Sequence, residues 1–270
     1  MKITFSHQSQ TFQVDTLRGH DISRPLSFRG AGSATEGSIT QASAKPLTSE
    51  NFVGSVEQGG PCNVDRVDLI PHCHGTHTET IAHILKNPTP RVSDIGLKSF
   101  FTAALITAKS VLASQSTDSY RPKFRGTDRI ISGEAIENAL GRIDVAEVDA
   151  LILRTDGKPF DFDSGPLTPF LSIEAMQAVV KSGVNHFVLD LPSVDRLDDD
   201  GLLTSHHLFW NVPEQTSEVT KESWPEKTIT EMVAIDGSIP DGFYLLNLQV
   251  APFVADAAPS RAVIFPATLV

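Results

Sequence analysis

The sequence predicts a mixed α/β fold in which strands outnumber helices. Three observations carry that reading. Short runs of alternating or continuous apolar residues recur along the 270-residue chain. Only two segments carry a helix-start residue followed by apolar positions three and four apart. One of those helices leads straight into a strand-like run, as α/β chains do.

The elements follow in order. Ile3–Phe5 and Thr11–Val14 alternate and pair as a hairpin. Residues 29–50 are rich in Gly, Ser, Thr and Ala and read as a long connection of low apolar content. The apolar segment 100–113 fits either a strand or a helix. Ser132 caps a helix through Ala135, Ile136 and Leu140. Val148–Leu153 is a strand. Ser172 caps a second helix through Ala175, Met176, Val179 and Val180, stopped by Gly183. His186–Leu191 is the strand that follows it. Residues 211–228, with Pro213, Trp224 and Pro225, form a second polar stretch. Phe243–Leu248 and Arg261–Phe265 complete the strands. Neither polar stretch is flanked by two self-sufficient cores, so the expectation is one domain, 1–270, with two large loops.

Composition narrows the function. The hydrophobic fraction of 40% and charged fraction of 20% belong to a globular chain. A net charge of −11 argues against nucleic acid or an anionic membrane surface as the main partner, since phosphate contacts need clustered Lys and Arg. Two cysteines, Cys62 and Cys73, make no disulfide framework. The start, Met1 to Gln10, has no apolar core of a signal peptide. The apolar stretch around Phe100–Ala108 is about half of the roughly 20 residues a membrane span needs. The expectation is a cytoplasmic, soluble protein.

The most informative stretch runs from Pro71 to His83. Four of the nine histidines, His72, His74, His77 and His83, fall within it, with Cys73 and Glu79 between. In an extended chain side chains alternate, so Cys73, Gly75, His77 and Glu79 share one face. Thiol, imidazole and carboxylate are the ligand types of zinc, and an imidazole–carboxylate pair also suits manganese or iron. A helix starting near Thr78 sets His83 one turn from Glu79. The bland alternative is a solvated, His-rich turn. A closed structural zinc site favours paired cysteines, which are absent.

Five landmarks in order resemble one family. Gly75-Thr76-His77-Thr78-Glu79, with His83 four residues on, resembles the signature of the cyclase family, which includes bacterial kynurenine formamidase and isatin hydrolase. Asp21-Ile22-Ser23-Arg24-Pro25-Leu26 is similar to its N-terminal motif. Leu171-Ser172-Ile173-Glu174-Ala175 resembles its helix start. Leu189–Asp195 resembles a strand end carrying Ser-Val-Asp, and His206-His207 follow where the family has a histidine. The landmarks span about residues 20–210. The chain departs from the family pattern where Cys73 replaces a histidine, Glu79 an aspartate and Ile81 a proline.

The resemblance implies a swivelling β/β/α architecture and a homodimer or homotetramer. It implies a metal-dependent hydrolase acting on a small molecule with an amide C–N bond, either a formamide or a cyclic amide. The metal ligands carried over are Cys73, His77 and Glu79, holding one or two divalent ions. A thiolate favours Zn2+, with Mn2+ the alternative. His83 is the implied general base. Glu174 or His207 then binds a second ion, orients water or protonates the leaving group. Asp161 or Asp163 stands where the family has a further histidine ligand, and His72 or His74 replaces Cys73 if the thiol is not a ligand. Two other functions remain open: a cyclase or lyase using the same metal and base, and a member that binds without turnover. Asp195, opening an acidic run, reads most simply as a solvated turn.

Overall fold

The computed structural model of the chain describes residues 1–28, 41–96, 98–143, 147–157 and 168–270. Its centre is a seven-stranded barrel. The elements that position the site are β1 (Lys2–His7), β2 (Gln10–Asp15), β3 (His77–Thr80), β4 (Phe100–Ala108), β5 (Ala150–Thr155), β6 (His186–Leu189), β7 (Thr228–Glu231), β8 (Gly242–Val250) and β9 (Ala257–Pro266). Among the described residues three helices flank them: α1 (Gly133–Leu140), α2 (Ile173–Lys181) and α3 (Thr204–Trp210).

Strands β4, β5, β6 and β7 lie side by side and parallel. β3 pairs antiparallel with β7, then β9 with β3 and β8 with β9. β8 returns to β4 and closes the ring. The segment 100–113 is resolved as strand: β4 occupies most of it. Its neighbours β5 and β8 hydrogen-bond it on both sides, which no helix in that position would allow.

Alternation in β5 shows how the core divides. Ala150 and Ile152 face the barrel interior with Ala103, Leu105, Val188 and Ile264. Leu151 and Leu153 face outward beneath the helices with Ile106, Ile136, Met176 and Phe209. Both faces are buried, so the strand reads as an unbroken apolar run. Ser132 and Ser172 cap α1 and α2 as expected, each accepting a hydrogen bond from the backbone N–H three residues on. The two helices meet closely at Gly133, where a Cβ would lie 2.8 Å from that of Glu174. Met176 and Val179 of α2 are wholly buried, each worth roughly 1.5–3 kcal/mol of burial.

The expected N-terminal hairpin β1–β2 forms, with Ile3 opposite Val14 and Phe5 opposite Phe12. The polar stretch 29–50 differs from expectation within its described part. Ser43–Pro46 pairs with Asp65–Asp68, and Thr48–Ser49 with Phe52–Val53, so this part is hairpin rather than open loop. Among the described residues no helix is long and apolar enough to cross a membrane.

Candidate metal centre

The strand β3 places the first donors. His77 and Glu79 are two residues apart and share the outer face of the barrel. The antiparallel register with β7 sets Glu231 directly opposite His77. Their neighbours Thr78 and Thr230 point inward and bond each other at 2.7 Å. α3 and the loop after β6 close over the outer face. The result is a polar cluster of His77, Glu79, Glu231 and His206, each no more than 3% exposed.

The hydrogen bonds fix the roles. The Gly75 carbonyl lies 3.1 Å from His77 Nδ1, and a carbonyl only accepts, so Nδ1 carries the proton. In the neutral ring Nε2 is then the acceptor. It faces Glu231 Oε2 at 3.4 Å and makes no hydrogen bond. Glu231 itself is held by the Val194 N–H, which donates to its other oxygen at 2.9 Å. Glu79 Oε2 is also buried without a hydrogen bond, and His72 Nε2 lies between it and Asp256 Oδ2, at 3.4 and 3.2 Å. Buried polar atoms without partners are costly. Acceptors turned toward one another in this way fit a cation between them.

His206 holds the other oxygen of Glu79. Its Nε2 lies 3.0 Å from Glu79 Oε1, and its Nδ1 lies 2.6 Å from Asp195 Oδ2. Asp195 in turn accepts from the Tyr120 hydroxyl at 2.7 Å and from the Ser205 N–H. Burial pushes the Glu79 carboxyl up, but His83, His206 and His72 outweigh it and hold it at about 2. Burial opposes charging of His206, yet Glu79 and Asp195 raise it well above the ordinary imidazole value.

His83 follows in a 3-10 turn, Ile81–Ile84, capped by Thr80. Its Nε2 is 3.9 Å from Glu79 Oε2, and its Nδ1 is 3.4 Å from Asp256 Oδ2. It stacks on His72 with ring centres 4.3 Å apart. Three overlapping groups of possible ligands result: His77–Glu79–Glu231, Glu79–His83–His206 and His72–His83–Asp256. They border an opening of about 170 Å³ lined by His72, Glu79, His83 and Ser193 among others.

The structure sorts the sequence expectations. His77, Glu79 and His83 come together. Cys73 joins none of the donor groups. Parity failed because the strand begins only at His77: residues 71–73 form a turn and Gly75 has φ +77°, so alternation does not extend back to Cys73. The turn swings His72 in instead. His74 accepts from the Ile70 N–H at 2.8 Å and braces that turn. Glu174 stands apart from the cluster; its carboxylate accepts from the Ser119 N–H and hydroxyl at 2.8 and 2.6 Å, tying that loop to α2. His207 points to the Val212 carbonyl at the end of α3, and His206 occupies the site in its place. Asp161 and Asp163 lie outside the described residues. Asp195 is buried rather than solvated. Glu231 and Asp256 were not anticipated. Glu231 left one trace, an acid two residues after Ile229 on an alternating strand; Asp256 left none.

A family model described as "Putative cyclase" matches residues 3–196. The chain belongs to the cyclase family. A kynurenine formamidase of Bacillus anthracis is 28% identical over 260 residues, covering 94% of this chain and all of the relative. One from Bacillus cytotoxicus is 29% identical over 211 residues, covering 78% of this chain and 83% of the other. Isatin hydrolase A from Labrenzia aggregata shares the fold, with a TM-score of 0.58 at 15% identity over 92% of this chain and 93% of that one. The barrel and its helices are thus the family's architecture.

Proposed function

We propose that this cyclase-family chain is a metal-dependent hydrolase that cleaves the C–N bond of a small, non-peptide amide, either a formamide or a cyclic amide. The carrying observation is His77 Nε2, which faces the Glu231 carboxylate at 3.4 Å in a buried site and makes no hydrogen bond. The similarity to kynurenine formamidases and the shared fold with isatin hydrolase support the reaction class.

The donors fit a divalent ion held by His77, Glu79 and Glu231. With Cys73 outside these groups, the argument for a thiolate-seeking ion falls away, and imidazoles with carboxylates accept zinc or manganese alike. Bound there, the ion supplies Lewis acidity and lowers the pKa of water toward roughly 7.

The chain's own residues do the rest. Asp256 orients His83 through Nδ1, leaving Nε2 toward the opening, as a base needs. His83 takes a proton from the attacking water and returns it to the leaving nitrogen. The carbonyl carbon gains a C–O bond and loses its C–N bond, giving a carboxylic acid and an amine. His206, clamped between Asp195 and Glu79, holds Glu79 in its ligand orientation.

The test is turnover of aryl formamides and small cyclic amides in isotopically labelled water. The expected result is one label in the acid product, loss of activity on chelation, and a His83→Ala protein that keeps metal but slows by at least about hundredfold. Products without label from every substrate would end the hydrolase reading.

A further inference from the structure

The barrel has a second polar concavity, on the face of β3 and β7 opposite the metal centre. It lies inside the barrel at the N-terminal mouth of the parallel strands. Phe101, His186 and Thr228 stand near the starts of β4, β6 and β7, and Leu248 and Val250 near the end of β8. The cavity measures about 150 Å³. A cavity of that size in a protein interior accepts one benzene ring.

Its lining is not what packing alone requires. The walls carry apolar Val92, Ile95, Phe101 and Leu248, but His186 sits among them, only 9% exposed. Its Nδ1 pairs with the Thr228 hydroxyl at 2.8 Å, and its ring lies 4.1 Å from that of Phe101. Among the described residues Nε2 has no hydrogen-bond partner. The residue lines the cavity, which leaves Nε2 available to an occupant. Burial keeps this imidazole neutral, with its pKa pulled down to about 4. A neutral imidazole with Nδ1 engaged offers one further hydrogen bond. At the rim, Lys98 is paired with Asp149 at 2.8 Å, so among the described lining residues no unpaired cation is left for an anion.

We propose that this mouth is a second small-molecule site, and that it takes a neutral monocyclic aromatic bearing one hydroxyl, a phenol. The ring fills the space against Phe101 and Leu248, and the hydroxyl bonds His186 Nε2. No residue of the metal centre takes part. The strands that present His77, Glu79 and Glu231 on one face form the wall of this site with Thr78 and Thr228 on the other.

The test is titration of the intact protein with phenol, toluene and benzoate, followed by amide NMR shifts and calorimetry. Phenol is expected to shift the amides of Thr78, Phe101 and Thr228 and to bind about fivefold or more tighter than toluene, the worth of one hydrogen bond. Benzoate, being charged, is expected to bind weakest. His186→Leu is expected to bring phenol down to the affinity of toluene. Val250→Trp, which fills the mouth and leaves the imidazole in place, is expected to abolish both and guards against a folding defect in the first variant. Phenol shifts confined to the opening beside His83, or equal binding of phenol to wild type and Val250→Trp, would overturn the proposal.

Discussion

The outer face of one barrel carries two regions built by opposite means. Beneath α1 and α2, Leu151, Leu153, Ile136 and Met176 pack with no polar atom to satisfy. A few residues away on the same face, His77, Glu79 and Glu231 are equally buried, yet His77 Nε2 and Glu79 Oε2 have no hydrogen-bond partner. The first region is complete as folded. The second leaves donors that fit a cation. Damage to the first should therefore appear as lost stability, and damage to the second as lost metal and lost activity.

The largest effect tests the second half. Glu79 belongs to two of the three donor groups. Glu79→Gln keeps the shape and removes the charge. Metal per chain, measured by mass spectrometry, is expected to fall at least about tenfold, and amide turnover more than about hundredfold. Circular dichroism is expected to show a folded protein. Retained metal with turnover near wild type would erase the distinction between the regions.

Next is the apolar half. Leu151→Ala removes a wholly buried side chain between β5 and the helices. Denaturant unfolding is expected to show a loss of about 2–5 kcal/mol. Metal per folded chain is expected to stay at the wild-type value. A variant that is fully stable but metal-free would show the two regions to be coupled.

The same division governs what the sequence made legible. The helix-covered half is written locally. Ser132 and Ser172 lie beside the helices they cap, and the apolar spacing of α2 and the run Val148–Leu153 need no distant partner. The donor cluster is written across the chain. Glu231 reaches His77 only through the register of β7 on β3, and Asp256 lies on the connection between β8 and β9. His77, Glu79 and His83 were legible because they are neighbours on one strand and the turn after it. His206 and His207 were not separable by sequence alone: rotation of one position around α3 decides which faces Glu79. Glu174 misled because its acid at a helix start serves Ser119.

The barrel interior offers a third term, intermediate in size. His186 is buried near Phe101, and burial lowers its pKa to about 4 from the ordinary 6.5. The unfolded chain then binds a proton between pH 6.5 and 4 that the folded chain refuses. Its stabilising contribution is full above pH 6.5 and is lost as pH falls toward 4. The loss is about 3 kcal/mol at most. Unfolding midpoints at pH 7 and 4.5 are expected to differ less in His186→Leu than in wild type. Equal differences would mean that other groups carry the whole acid sensitivity.

The smallest expected effect sharpens the boundary of the metal centre. Cys73 precedes the site by four residues, and its backbone N–H closes a turn on the Ile70 carbonyl at 3.0 Å. The turn and the positive φ of Gly75 bring His72, not Cys73, to Glu79. Cys73→Ser therefore should leave metal content and turnover within about twofold, whereas His72→Ala should lower metal content or turnover measurably. Run together, the two variants separate a thiolate centre from an imidazole–carboxylate one. Loss of metal in Cys73→Ser with retention in His72→Ala would mean that the turn rearranges when the ion binds, returning the alternation of an extended strand as far back as residue 73.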